Sequence, residues 1–520
     1  MRSPTLSRIC LASMFGLAVV ALAFACDGTT TNPTPDLATP PPDLIKVADL
    51  MLLMPVVSTI APAIGPTSGG TAVTINGSGF DQGATVKIGN LTVTGVTVSA
   101  DGTTITFMTP ANLGKPGPYD VIVTNGNGQT TTKTAGFSYF ITVTFAAGAN
   151  VTQAGDNGPR FVQPFDIDKD GTLDLAVAYG NSNTLVTYKG TSAGANISFG
   201  TANSRGVNTY PFMVSVADVN GDGKTDMVAP CQNSTGQGSV AVLLGDGTVN
   251  PGTLVGNNVG AATQKPQWTQ LVDLNGDNKL DIVVNLNGVA TGNIAHLINQ
   301  GTATFTYVAG NNLTAGANSY SLAMGDFNKD GKSDIVALLA GVGNNVIPFK
   351  HNGVANAPWL TAGTAAMSGS GTPFSAAVGD FDKDGNLDLV TVNKLAAGTI
   401  SFLKGNGQGG FANAVAANQF TVGAAPEHIA VADLNGDGYL DVMTANLGGV
   451  GASGTVSWLL GNGDGTFKGM QNLNMGNAKF NSVSVADFNK DGILDLIATD
   501  YRPGVVANGG GIVVWKGTGQ

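Results

Sequence analysis

Asp166-Ile167-Asp168-Lys169-Asp170-Gly171-Thr172-Leu173-Asp174 is the first of seven stretches that decide the architecture. The pattern D-x-[DN]-x-D-G-x-x-D returns with its first aspartate at Asp218, Asp273, Asp326, Asp380, Asp433 and Asp487, at spacings of 52 to 55 residues. So constant a period means one supersecondary unit stacked on copies of itself, since a single unit cannot bury its apolar face alone. The third copy departs from the pattern with Asn278 in place of the glycine. Asparagine also tolerates a left-handed backbone, so that turn is expected to survive.

The spacing suits a loop that wraps a hard cation. Ca²⁺ takes about six to eight oxygens, drawn in such loops from positions one, three, five and nine and from a backbone carbonyl at position seven. The expected side-chain ligands are Asp166, Asp168, Asp170 and Asp174; Asp218, Asn220, Asp222 and Asp226; Asp273, Asn275, Asp277 and Asp281; Asp326, Asn328, Asp330 and Asp334. The last three loops supply Asp380, Asp382, Asp384 and Asp388; Asp433, Asn435, Asp437 and Asp441; and Asp487, Asn489, Asp491 and Asp495. Position seven is Thr172, Lys224, Lys279, Lys332, Asn386, Tyr439 or Ile493, an indifference that fits a main-chain ligand. An EF-hand is excluded, because position twelve holds Val177, Ala229, Val284, Ala337, Thr391, Thr444 or Ala498 where a bidentate glutamate is needed. The flanks are strand-like, as in Ser484-Val485-Ala486 before the last loop and Leu496-Ile497-Ala498-Thr499 after it, so each loop is the turn of a β-hairpin.

A third strand follows each hairpin, as in Thr455 to Leu460, and Gly461 to Phe467 turns into a fourth. Four antiparallel strands per repeat make one propeller blade. The repeats resemble the FG-GAP/VCBS family and are similar to the propeller of integrin alpha chains, over residues 141–520. The fold expected is all-β: a seven-bladed β-propeller preceded by a small Ig-like β-sandwich, with up to seven Ca²⁺, one per hairpin loop. The last copy stops after Ile512 to Gly517, one strand short, and a spare strand, Ile141 to Phe145, precedes the first loop. That strand is expected to complete the seventh blade and close the ring.

Residues 58–140 alternate in short apolar strands such as Ala72-Val73-Thr74-Ile75, Thr85-Val86-Lys87-Ile88 and Thr104-Ile105-Thr106-Phe107. Ile64-Gly65-Pro66-Thr67-Ser68-Gly69-Gly70-Thr71, Ile75-Asn76-Gly77-Ser78-Gly79-Phe80 and Pro118 to Asn125 resemble the IPT/TIG family of immunoglobulin-like domains. The resemblance implies a sandwich used as a spacer or binding module. Further upstream, Arg2 and Arg8 precede an apolar run from Leu11 to Ala25, the pattern of a signal peptide over residues 1–25. Leu22-Ala23-Phe24-Ala25-Cys26 resembles a bacterial lipoprotein box, so Cys26 is a candidate for lipidation, with plain secretion as the alternative. Residues 26–57, rich in Thr and Pro, read as an extended linker.

Composition agrees with export and with metal. The 520-residue chain has a formal net charge of −11, which argues against nucleic acid as a partner. Glu427 is its single glutamate, and 23 of the 34 aspartates sit in the seven loops, where unoccupied carboxylates repel one another. Of the three cysteines only Cys231 lies outside the targeting region, so neither a disulfide framework nor a zinc cluster is expected.

No nucleophile, zincin or phosphate-loop motif surrounds the three histidines, and no catalytic residue is expected. Ligand recognition is expected instead on the face opposite the acidic turns, where the repeats diverge just ahead of each first strand. Arg160, Phe212, Trp268, Tyr320, Phe374 and His428 are the candidates there, since such side chains stack on or hydrogen-bond a sugar or peptide. The alternative is that several of them cap the channel or pack between blades. These features predict an exported, monomeric surface or secreted protein that binds an extracellular glycan or protein and meets a membrane only through a lipid at Cys26. A ligand-free scaffold and a polysaccharide-degrading enzyme stay open as alternatives.

Overall fold

The computed structural model describes residues 54–519 apart from 113–114, 152–156, 193, 195, 234–237, 259–264, 288–291, 302–303, 309–312, 317–318, 340–344, 355–358, 370 and 503–510. The expected signal peptide, Cys26 and most of the linker lie outside the described residues. Among the described residues the only helix is one 3-10 turn, Ala416–Asn418.

The sandwich begins with strand Val56–Ala61, two residues before the expected boundary. That strand pairs with Ala72–Ser78, which continues to Thr104–Met108 and Thr97–Val98. The second sheet runs Ile64–Pro66, Thr130–Phe140, Gly117–Thr124, Thr85–Ile88 and Leu91–Thr92. The strict period of two sends Val73, Ile75, Val86, Ile88, Ile105, Phe107, Val121 and Val123 into one shared core with Phe137 and Tyr139.

Among the described residues seven further sheets of four or five strands follow, one for each acidic loop. Their innermost strands are Pro159–Phe165, Ser215–Ala217, Lys265–Val272, Ser319–Gly325, Pro373–Gly379, Pro426–Ala432 and Phe480–Ala486. Each neighbours the next in chain order, and the last neighbours the first. The cores lie between consecutive sheets, so the second strand of every sheet is covered on both faces. This explains why these strands read as unbroken apolar runs, for example Leu175-Ala176-Val177-Ala178. Between the seventh and first sheets, Phe488, Ile497, Ile512 and Val514 interlock with Val162, Leu175, Val177, Val186 and Tyr188.

The ring is closed by a strand from ahead of the first loop, but not by the one expected. Ala149–Val151 supplies the fourth strand of the last sheet, pairing with Ile512 to Val514. Upstream of it Phe145 makes an isolated bridge to Gly517, and Ala146 N donates to Lys516 O at 2.8 Å. Ile141, by contrast, belongs to the joint with the sandwich, where its N–H donates to Asn435 O at 2.8 Å. Backbone pairing, not apolar pattern, decides the assignment: the apolar Val143 and Phe145 pack on the core of the sixth and seventh sheets without entering a strand.

Each inner strand has one free edge, and the neighbouring sheet satisfies part of it. Val162 N donates to Ser482 Oγ at 3.1 Å, and Ser484 Oγ donates to Val162 O at 2.9 Å. Gln270 Nε2 reaches Leu322 O at 3.0 Å, and His428 Nδ1 lies 3.0 Å from Val483 O. These latches tie adjacent sheets at the channel without merging them.

Replacing Ala149–Val151 with Gly-Pro-Gly in the full chain should lower the thermal midpoint by about 10 °C or broaden the transition, since it strips the outer edge of the closing sheet. Differential scanning calorimetry checks this, and an unchanged melt would show that the ring does not depend on the strand.

Candidate metal centres

All seven loops share one hydrogen-bond scheme. The position-one carboxylate accepts the N–H of position six, as from Gly171 to Asp166 (2.8 Å), Asn278 to Asp273 (2.8 Å) and Gly438 to Asp433 (2.7 Å). Position five accepts the N–H of position seven, as from Thr172 to Asp170 at 2.7 Å. Position six turns through the left-handed region in every loop, and Asn278 adopts it with φ of 62°. A second left-handed residue sits at position four, where Gly221, Gly276 and Gly436 alternate with Lys169, Lys329, Lys383 and Lys490 at φ near 60°.

Position nine has a role that its expected one as a ligand understates. Asp174, Asp226, Asp281, Asp334, Asp388, Asp441 and Asp495 are fully buried first residues of the second strands. One oxygen of each accepts the N–H of position two; the other accepts an N–H from the end of the third strand. For Asp174 the donors are Ile167 (2.9 Å) and Gly190 (2.7 Å); for Asp441 they are Leu434 (2.8 Å) and Gly461 (2.7 Å). Position two is an apolar anchor: Ile167, Val219, Leu274, Phe327, Phe381, Leu434 and Phe488 all drop into the core between their own sheet and the next. Burial pushes Asp281, Asp388 and Asp495 up to about 6 and Asp441 to about 7, against the two N–H donors that favour the charged form.

The donor set fits a hard divalent cation best in the first and fifth loops, which carry four carboxylates each. Oxygens of Asp166, Asp168 and Asp174 converge within 4.8 Å of one another, as do those of Asp380, Asp382 and Asp384. In these two loops Asp168 Oδ1 and Asp380 Oδ1 are buried with no hydrogen-bond donor. A buried carboxylate oxygen lacking a donor is costly unless a cation meets it. A cation already stands beside each cluster: Lys189 Nζ contacts Asp168 and lies 2.7 Å from Asp170, and Lys404 Nζ contacts Asp382 and lies 2.7 Å from Asp384. The Lys404 contact holds Asp384 down to about 2.

The sixth loop differs in being covered by the sandwich. Asn435 and Asp437 are 2% and 8% exposed. Gly436, with φ of 74°, abuts Pro116, and a Cβ there would lie 2.4 Å from Pro116 Cβ. The IPT/TIG-like unit, expected as a spacer or binding module, thus rests directly on an acidic loop.

At the opposite end of the channel the inner strands carry a β-bulge at one shared position in six of the seven sheets. The bulged residues are Arg160, Gln267, Tyr320, Phe374, Glu427 and Asn481, and Phe212 occupies the equivalent place in the second sheet. Bulges re-aim side chains, and here they form a belt. Arg160 stacks over Phe212 at 4.5 Å and lies 3.9 Å from Glu427, which Lys394 contacts. Lys394 lies 4.6 Å over Phe374, whose ring is 4.8 Å from Tyr320. Of the six ligand candidates, Arg160, Phe212, Tyr320 and Phe374 therefore share the rim. Trp268 and His428 do not: they stack on each other at 5.8 Å across the channel, both edge-on to Phe161, and plug it. A signal for the bulge was present, because proline precedes it at Pro159, Pro266, Pro373 and Pro426, and such prolines belong to edge strands or bulges.

The remaining reactive side chains are packed. Burial pushes the Cys231 thiol up to about 12 and His296 down to about 4, and His351 Nε2 lies 3.0 Å from Leu274 O.

The IPT/TIG domain family matches residues 55–139, and the FG-GAP-like repeat family matches residues 166–229, 273–337, 380–444 and 447–498. Both matches fall on the segments whose motifs carried the two resemblances. No curated protein matches the chain. Among solved structures, BBS1N in complex with ARL6DN is 12% identical with a TM-score of 0.46, covering 72% of this chain and 96% of that one. Auxiliary nutrient binding proteins from Bacteroides ovatus (12% identity, TM-score 0.37) and Bacteroides thetaiotaomicron (11%, 0.36) each cover 89% of this chain and 98% of their own.

Two outcomes follow from the position-nine brace. Asp441→Ala should cost about 2–5 kcal/mol by stranding two buried N–H groups, in chelator as well as in calcium, whereas Asp222→Ala should cost little in chelator. Equal losses in urea titrations of both variants would contradict the division of labour. The second outcome concerns pH. A raised folded-state value means that the folded chain binds more protons than the unfolded one between about 4 and 7. Metal-free protein should therefore melt higher at pH 5.5 than at pH 7.5, its stability falling as pH rises through the raised values; the reverse order would overturn the assignment.

Proposed function

We propose that this chain, built from an IPT/TIG domain followed by FG-GAP-like repeats, is an exported, calcium-stabilised binding protein. In this reading the acidic end of the ring is a structural clamp and the opposite rim recognises a glycan or protein outside the cell. The observation that carries the reading is the belt of bulged residues. Six sheets spend a β-bulge at one position, and the side chains placed there, Arg160, Tyr320, Phe374 and Glu427 among them, are unlike one another. A purely structural repeat would keep that position uniform, as it keeps the position-nine aspartates uniform.

Export rests on the sequence of residues 1–25 and attachment on Cys26. For the clamp, positions one, three, five and nine would hold Ca²⁺ together with the position-seven carbonyl. The ion supplies positive charge that cancels the repulsion among crowded carboxylates. Weak to moderate sites suffice in a calcium-rich exterior, because each bound ion adds stability by mass action. No helix pair flanks these loops to be opened, so the ions act as staples and not as a switch. The sixth loop extends the clamp to the sandwich: Pro116 and Ile141 contact its backbone, so filling that loop would also fix the joint.

Chelation should lower the melting temperature by about 10 °C or more. It should also expose residues 141–148 to limited proteolysis before the ring itself unfolds. A melt indifferent to EDTA would refute the clamp. For recognition, the calcium-loaded chain is screened on glycan and extracellular-protein arrays beside a Tyr320→Ala/Phe374→Ala variant whose melt is normal. Loss of the hits in the variant is expected, and hits that survive it would move the binding surface elsewhere.

A further inference from the structure

Beside the plugged channel a cavity of about 380 Å³ is lined by Arg160, Thr209, Tyr210, Phe212, Gln232 and Lys265. Its volume lies within the range of small-molecule sites. Among the described residues two cations and no carboxylate line it, in a chain whose acidic residues outnumber basic ones by 35 to 24.

The arrangement of Arg160 makes this excess available to a ligand. Phe212, Tyr501 and Tyr210 surround its guanidinium at 4.5, 5.0 and 5.8 Å, which holds its plane by stacking. Its acidic neighbour, Glu427, approaches only to 3.9 Å and is engaged by Lys394. Arg160 Nε is buried and has no hydrogen-bond partner, and the same holds for Gln232 Nε2. Buried donors are nearly always satisfied in folded proteins, so two unmatched donors in the wall of one cavity mark side chains that gain a partner only by turning toward it.

The wall is also strained. Tyr210 has φ of 56°, a left-handed conformation costly for a bulky side chain. Its N–H is held by Asn183 Oδ1 at 2.8 Å and its carbonyl by Gln232 N at 3.0 Å. A fold that keeps such a residue over-determined on both sides places an aromatic ring where relaxed backbone would not.

We propose that this cavity binds the carboxylate-bearing ring of an acidic saccharide, a refinement that rests on the rim being the recognition face. Arg160 and Lys265 pair with the carboxylate, Thr209 and Gln232 with ring hydroxyls, and the aromatic walls take the apolar face of the pyranose. An acidic peptide offers the charge but not the hydroxyl-bearing ring.

The test is isothermal titration of the calcium-loaded full chain with three probes: a hyaluronan tetrasaccharide, the same oligosaccharide with its carboxylates reduced to alcohols, and a tetraglutamate peptide. The acidic tetrasaccharide is expected to bind, and its reduced form about tenfold more weakly or worse, the loss of one charge-assisted contact. Arg160→Gln should weaken binding about tenfold, and Lys265→Gln about threefold with a shallower salt dependence. Lys265 is exposed, so its variant remains informative if Arg160→Gln folds poorly. Equal affinity for the reduced sugar, wild-type affinity in Lys265→Gln, preference for the peptide, or no binding of any probe would each overturn the proposal. Equal binding of both sugars that is nonetheless lost in Tyr320→Ala/Phe374→Ala would overturn this pocket while leaving the rim as the recognition face.

Discussion

The ring depends on a buried carboxylate that bridges three pieces of chain. At position nine of each repeat, one aspartate accepts an N–H from the start of the loop and another from the end of the third strand. It thereby locks the hairpin turn to the strand that follows. Unpaired, such a carboxylate would be prohibitively costly in the interior; with two backbone donors it defines the geometry of the blade. The apolar residue at position two makes the same lock structural in the other direction, since its backbone N–H serves the carboxylate while its side chain anchors the core shared with the next sheet. Loop, blade and neighbouring blade are coupled through two residues.

That coupling separates the two ends of the ring. Carboxylates concentrate at the acidic end, where the brace holds the turns and lysines such as Lys189 and Lys404 partly neutralise them. Far from those turns, the inner edge strands are free to bulge, and proline at their starts removes donors that would otherwise need partners. The result is a rim whose side chains vary without disturbing the fold. Rigid scaffold and variable rim are thus consequences of where the backbone hydrogen bonds are spent.

The loop pattern made the repeat, the hairpin and the acidic clusters legible, because oxygens at fixed spacing leave a signature that side-chain chemistry cannot disguise. Asn278 in the left-handed region was legible for the same reason. The structural share of position nine was not, although the invariably apolar position two beside it was a signal. The closing strand was misplaced because apolar alternation marks burial and not pairing: Val143 and Phe145 are partly buried but lie outside any strand, whereas Ala149–Val151, which pairs, has little apolar pattern. Pro116 against Gly436 could not be read at all, since a contact between units leaves no periodicity in either.

Acidity and recognition meet in one electrostatic problem. A chain with net charge of −11 repels anionic ligands at long range, yet at the Debye length of extracellular salt, about 8 Å, distant loops are screened from the rim. What an approaching group meets at the rim is local: Arg160, Lys265 and Lys394 against Glu427, with aromatic rings lowering the surrounding dielectric. Calcium in the acidic loops would remove the remaining long-range penalty as well as the repulsion that opposes folding. Ions bound in those loops would then act on the fold and on the approach of a ligand alike, through screening and neutralisation alone and with no change of shape.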